Sequence, residues 1–304
     1  MRPLVVGLGS IGSLHAQVLA DLGHEPTVVT ARSDTRWPRH ATLTEALDVG
    51  AYDYVVIATP TAAHDEAVAT LTESGFSGSV LVEKPLFAKA RPLPPNRFAG
   101  GGFVGYNLRF HPLIAELRAR ASERRVLSAH AYVGQYLPTW RPGDYRASYS
   151  ACRAGGGGVL RDLSHELDYL TWILGPWQRV AALGGHVSDL EIETDDLFCV
   201  LFETTQGAKV ELELNYLDRC ARREIILNFE GATARADFIA GSLEWNGEEV
   251  LRIGADRGTI CRAQHEALLG GRWDSACTFA EGLDTVRFIE AIEAAATKGE
   301  WITR

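Results

Sequence analysis

The apolar positions of the first hundred residues come in short runs, each followed by a stretch with helical spacing. Leu4 to Val6 is a run of the buried-strand kind, and Leu14, Val18 and Leu19 then share one face of a helix that stops at Gly23. Thr27 to Thr30 and Tyr54 to Ala58 are the next strands, with Leu43 and Leu47 marking a short helix between them. A helix through Ala67, Val68 and Leu71 leads to a fourth strand, Val80 to Val82. Apolar strands alternating with helices predict a parallel sheet covered on both faces.

From about residue 126 the pattern changes to longer strands joined by turns, over 126–136, 180–187, 196–203, 208–217, 224–230 and 234–240. Residues 209–216 alternate apolar and polar, so one face is buried and the other solvated. Thr205-Gln206-Gly207 and Asn246-Gly247 read as hairpin turns. This half predicts an antiparallel sheet packed on helices around 158–174. A last helix over about 281–297 carries Leu283, Val286, Ile289 and Ile292 on one stripe. The 304 residues exceed one comfortable core. They divide into an α/β domain over 1–105 and an α+β domain over 106–304, whose last helix can return to the first. The loosest stretch is Ala90 to Gly102, rich in Pro and Gly.

Chemistry begins where the first strand ends. Gly7, Gly9 and Gly12 fit G-x-G-x-x-G between a strand and a helix, with Ser10 and Ile11 in the opening turn. The first glycine allows a tight turn, the second lets backbone approach a pyrophosphate, and the third lets helix pack on strand. The second strand ends at Thr30 without the acid that would accept from the ribose of NAD. Arg32, Ser33 and Arg36 follow, donors that suit a 2′-phosphate and favour NADP over NAD. If the strand runs further, Asp34 becomes the ribose acid.

Composition mainly excludes. Hydrophobic residues make up 46% and charged residues 23%, ordinary for a globular protein. A net charge of −9 with scattered Lys and Arg argues against a nucleic-acid surface. The five cysteines form no CxxC pair, and no His/Cys/Asp cluster has ligand spacing, so no metal is expected and the thiols read as reduced. No apolar run approaches the ~18 residues of a membrane span, and the chain enters its first strand at once. These features predict a cytoplasmic protein.

Several motifs then occur in order: Gly7 to Gly12 with His15, Thr59-Pro60-Thr61 with His64, and Glu83-Lys84-Pro85. After them come Gly105-Tyr106-Asn107-Leu108-Arg109-Phe110-His111-Pro112, and Gly156-Gly157-Gly158 leading to Asp162, His165 and Asp168. With these the chain resembles the Gfo/Idh/MocA oxidoreductases over nearly its whole length. The resemblance implies an α/β Rossmann domain followed by an α+β domain with a large open antiparallel sheet. It also implies NAD(P)-linked hydride transfer at a carbon of a sugar, nucleotide sugar or cyclitol, and a homodimer or homotetramer formed through the open sheet face. Thr59, Pro60, His64 and Glu83 belong to the motifs that line the cofactor in such a reading. Lys84 corresponds to the lysine between nicotinamide and substrate, and His165 to the general acid or base. Asp162 corresponds to an acid usually four residues before that histidine but here three. Both spacings keep the two side chains on one helical face. Asp168, Asn107, Arg109 and Tyr106 are expected near the substrate.

A Pro/Gly loop from Tyr136 through Trp140, Arg141 and Tyr145 to Arg146, with Tyr149 beyond, suits a lid over a polyol. Arg141, Arg146 and Arg153 are candidate receivers of a phosphate. After Lys84, the prolines of Ala90 to Pro95 break the helix that the family usually carries there. Two rival readings stand beside hydride transfer at a CH–OH carbon: a non-catalytic nicotinamide-binding regulator on the same scaffold, and a C=N or C=C reductase.

Overall fold

The computed structural model describes residues 1–93, 98–140, 142–254 and 256–304. The chain opens with β1 (Pro3–Val6), α1 (Ser10–Asp21), β2 (Thr27–Val29), β3 (Arg39–His40) and α2 (Leu43–Val49). Next come β4 (Tyr54–Ile57), α3 (His64–Glu73), β5 (Ser79–Val82), β6 (Gly102–Val104) and α4 (Pro112–Glu123). The middle holds β7 (Val126–Gly134), α5 (Leu137–Trp140), α6 (Val159–Asp162), α7 (His165–Leu174), β8 (Trp177–Gly185) and β9 (Leu197–Thr204). The strands β10 (Lys209–Asn215), β11 (Arg222–Phe229), β12 (Ala232–Asp237), β13 (Ser242–Trp245) and β14 (Glu248–Arg252) follow. The last helices are α8 (Arg257–Leu269) and α9 (Phe279–Lys298). Two compact units result, one of residues 1–107 with 256–286 and one of residues 108–255 with 287–304.

In the first unit the strand order is β6-β5-β4-β1-β2-β3, all parallel, with a short antiparallel strand at Cys277–Thr278 beside β6. The strands β1 and β4 are buried at every position, as a sheet covered on both faces requires. Thr42 caps α2 by accepting from Glu45 N at 3.2 Å, while Glu45 Oε2 accepts from Ala41 N. No helix joins β5 to β6 among the described residues. Leu86, Phe87 and Phe98 anchor that connection in the core instead. The core also takes in Phe279, Leu283 and Val286 from the start of α9. A Cβ on Gly282 would sit 2.4 Å from Val104 Cγ2, so this glycine lets α9 lie close against β6. The unit therefore includes α8 and the start of α9, beyond the 1–105 segment that the sequence suggests.

In the second unit the nine-stranded sheet runs β14-β13-β12-β11-β7-β10-β9-β8, ending in Ile302–Thr303. Sequence patterning predicts an antiparallel sheet, and every pairing is antiparallel except the central one. There β7 and β10 run parallel, with Leu212 beside Ala131. The Asn246-Gly247 turn joins β13 to β14, both residues at positive φ, as a two-residue hairpin needs. The buried face packs on helices, and Phe288 of α9 stacks on Trp177 at 4.9 Å. Pro112 begins α4, and His111 caps it by accepting from Leu113 N through Nδ1 at 3.1 Å.

Candidate active site

The glycine loop meets the demands of a dinucleotide one position at a time. Gly7 has φ +95°, and a Cβ there would sit 2.7 Å from Ala58 O. A Cβ on Gly12 would sit 1.9 Å from Gly7 O, so only hydrogen fits under the helix. A Cβ on Gly9 would meet nothing within 4 Å, which leaves open space at the position where a pyrophosphate needs backbone access. The N-terminus of α1 has no side-chain cap and no acid in its first turn, so its N–H groups suit an anion. Ser10 is exposed there and Ile11 half-buried.

Beside this loop Arg32 Nη1 donates to Leu8 O at 3.4 Å. Its Nε and Nη2 also donate to Asp34 at 3.1 and 3.0 Å. The Arg32 hydrogen bonds hold the Asp34 carboxyl below its ordinary range. Thr30, with Oγ1 accepting from Arg32 N, closes the turn, and Ser33 is exposed. At the end of β4, Thr59 Oγ1 is buried with no hydrogen-bond partner among the described residues, an oxygen suited to a bound polar group. Pro60 is exposed at that turn. His64 is buried behind it. Its Nε2 lies 3.0 Å from Thr59 O and its Nδ1 3.0 Å from Pro85 O, so it braces two strand ends rather than facing outward. Burial pushes its pKa down.

Lys84 stands at the carboxyl end of β5, half-buried, before a cis bond to Pro85. Its neighbour Glu83 is held by His15 Nε2 at 3.0 Å. Burial pushes the Glu83 carboxyl up, but His15 and Lys84 outweigh it and the pKa is lowered. For His15, burial is the largest influence and lowers the pKa. Hydrogen bonds to Cys261 and Glu83 oppose it, and the value rises to about 9. His15 Nδ1 in turn lies 2.8 Å from His265 Nε2, and His265 Nδ1 lies 3.0 Å from Tyr54 Oη. Spacing along the sequence does not show this group, because His15 is separated from His265 by 250 residues.

In the second unit Gly157 packs under the Tyr149–Ser150 backbone, and Gly158 faces Asp195. A Cβ on Gly157 would lie 2.1 Å from Tyr149 O, and one on Gly158 2.5 Å from Asp195 Oδ1. Asp195 Oδ2 accepts from Leu160 N at 2.9 Å and so fastens the start of α6. Asp162 ends α6 and His165 begins α7, with Leu163 and Ser164 between, so the two do not share one continuous helix face. Tyr216 donates to Asp162 Oδ2 at 2.6 Å, and Tyr149 donates to its Oδ1. Burial and the adjacent Asp162 raise the Tyr216 pKa well above its ordinary value, which keeps it a donor. His165 is half-buried at the start of α7.

Other expected substrate residues have structural partners. Arg109 and Asp168 form a buried two-point ion pair, Nε to Oδ2 at 2.9 Å and Nη2 to Oδ1 at 2.8 Å. Tyr106 is fully buried in the core of the first unit, closed to any substrate, and Asn107 is also buried. In the lid segment Trp140 packs on Tyr216 at 5.7 Å, and Arg219 lies 3.5 Å over the Tyr136 ring. Arg146 is paired with Asp144 and Glu191, Tyr145 Oη accepts from Glu191 N, and Arg153 donates to Glu193 O. Arg141 lies outside the described residues, as do Pro94 and Pro95.

Residues 1–93 match the oxidoreductase family with an NAD-binding Rossmann fold, and residues 125–242 match the GFO/IDH/MocA C-terminal domain. The chain belongs to the Gfo/Idh/MocA oxidoreductase family. It is 26% identical over 186 residues to the rhizopine catabolism protein MocA of Rhizobium meliloti, covering 56% of each chain. The chain thus spans about half the length of the curated relative it matches. Among solved structures, GenD2 from gentamicin A biosynthesis, in complex with NAD, aligns with a TM-score of 0.81 and 22% identity, covering 100% of this chain and 96% of that one. WlbA dehydrogenase from Bordetella pertussis, in complex with NADH and UDP-GlcNAcA, gives 0.81 and 21%, with 100% and 97% covered. Levoglucosan dehydrogenase, in complex with NADH and L-sorbose, gives 0.83 and 16%, with 100% and 98% covered. These likenesses carry the fold. Among the described residues no helix is long and apolar enough to cross a membrane.

Proposed function

We propose that this protein is a nicotinamide-dependent dehydrogenase that acts on a CH–OH carbon of a sugar, nucleotide sugar or cyclitol. The observation that carries this reading is Lys84 at the carboxyl end of β5, on the edge of a parallel sheet where the glycine loop also ends β1. In open α/β sheets ligands bind at that edge. The bound nicotinamide supplies or accepts the hydride. Lys84 then donates from Nζ to the reacting oxygen and lowers the cost of its negative charge. Glu83, fixed by His15, keeps the backbone of Lys84 in place through Lys84 N to Oε2 at 3.2 Å. His165 takes the hydroxyl proton in oxidation and returns it in reduction. Asp162 has each carboxylate oxygen engaged by a tyrosine hydroxyl, which suits a positioning role beside His165 rather than proton transfer.

We assign NADP as the preferred cofactor, with Arg32 turning from Asp34 to the 2′-phosphate. Their pair is exposed, and exposed pairs are weak enough to exchange. Oligomerisation would use the outward face of the nine-stranded sheet, where Leu183 and Leu201 are exposed. The protein is expected to act in the cytoplasm.

Replacing Lys84 with Ala, or His165 with Ala, should lower kcat by about 10²–10⁴-fold while cofactor binding persists. Full turnover in both variants would overturn the assignment. Tight nicotinamide binding with no turnover on a broad panel of alcohols and ketones would point instead to a regulator. Arg32→Ala should raise the KM for NADP and leave that for NAD unchanged.

A further inference from the structure

We propose that His15, Cys261 and His265 form a zinc site that clips α1 to α8 within the first unit. All three side chains are fully buried, and their donor atoms lie within 4.8 Å of one another. Cys261 and His265 are four residues apart on α8 and so share one face, while His15 comes from α1. Cys261 Sγ lies 3.5 Å from His15 Nδ1, and His265 Nε2 lies 2.8 Å from the same atom. Zinc bonds of about 2.0–2.3 Å in a tetrahedron set donors roughly 3.3–3.8 Å apart. The nitrogens need to part by only about half an ångström.

The outer nitrogens argue in the same direction. His15 turns Nε2 to the Glu83 carboxylate at 3.0 Å, and His265 turns Nδ1 to Tyr54 Oη at 3.0 Å. The inner nitrogens, 2.8 Å apart, share one hydrogen that a metal would displace. A proton satisfies the two imidazoles alone, with the thiol packed beside them at 3.5 Å. A metal uses all three donors, and an oxygen partner on each outer imidazole nitrogen is the usual second layer of a metal site.

Nitrogen and sulfur donors exclude Ca²⁺ and Mg²⁺. Charge selects between Zn²⁺ and Cu⁺. Binding of Zn²⁺ would release the thiol proton to solvent. With the Cys261 thiolate and the Glu83 carboxylate, the +2 ion gives a neutral cluster. Cu⁺ would leave one negative charge uncompensated in the core.

The test is metal content and spectroscopy on the full chain, independent of turnover. Chelator-treated protein is dialysed against ZnCl₂, freed of loose metal and assayed by elemental analysis. One zinc per chain and a rise in Tm of about 5 °C are expected. Replacing zinc with Co²⁺ should produce tetrahedral d–d bands and a thiolate-to-cobalt charge-transfer band. Cys261→Ser should lose the charge-transfer band, and His265→Gln should weaken metal binding ten-fold or more. Wild-type protein that retains less than stoichiometric zinc, with Tm unmoved, would show a purely hydrogen-bonded cluster and overturn the proposal. Cobalt binding without the thiolate band would overturn it equally, and needs no variant to fold.

Discussion

The buried pair of Arg109 and Asp168 offers a sharp test, because the residues that the family resemblance places near the substrate are here bonded to each other. Both side chains are at most 3% exposed, and two parallel hydrogen bonds of 2.8 and 2.9 Å join them. Opposite charges about 4 Å apart interact by about 4 kcal/mol at an effective dielectric of 20. Removing one partner strands the other charge in the interior, which costs about 3–5 kcal/mol. Asp168→Ala should therefore lower Tm by about 10 °C, read by circular dichroism. Arg109→Met should do the same, since its guanidinium also lies over Trp172 at 5.1 Å. The double variant Arg109→Met with Asp168→Leu should recover much of the loss, because neither charge is then left unpaired. If the two single losses simply add in the double variant, or if Arg109→Met raises KM with Tm unchanged, the pair is not the structural unit described above.

Gly9→Ala and Gly12→Ala should separate binding from stability: the first keeps Tm but weakens cofactor binding ten-fold or more in a fluorescence titration, and the second lowers Tm because its Cβ meets Gly7 O at 1.9 Å. Burial, aided by the nearby Arg223, lowers the His111 pKa to about 4 from 6.5. The unfolded chain thus takes up a proton below pH 6.5 that the folded one refuses, and stability falls by about 3 kcal/mol as pH drops from 6.5 toward 4. His111→Asn keeps a capping oxygen and should flatten that part of the urea-midpoint profile. Tyr216→Phe removes a donor to Asp162 and should cost about 1.5–3 kcal/mol by urea denaturation, with Tyr149→Phe behaving similarly.

Local signals were readable in the chain and non-local ones were not. The glycine loop, the strand carrying Lys84 and the Asn246-Gly247 hairpin depend on neighbours within a few residues, and the structure has all three. The parallel pairing of β7 with β10 leaves no mark on the alternation of either strand, since both directions bury the same face. Tyr216 as partner of Asp162, and His265 as partner of His15, meet across 54 and 250 residues. Tyr106, expected near the substrate from its motif, fills the core instead.

The first unit is interrupted in sequence: residues 108–255 intervene before α8 and the start of α9 complete it. During synthesis the ribosome therefore delivers the entire nine-stranded sheet, apart from its last two-residue strand, before the nucleotide domain has all of its parts. Phe279, Leu283 and Val286 fill the core beneath the first sheet only after residue 286 has emerged. Domains usually mature from the N-terminus onward. Here the half translated first is finished late, and a truncated N-terminal fragment ending near residue 107 would expose the core those three residues cover.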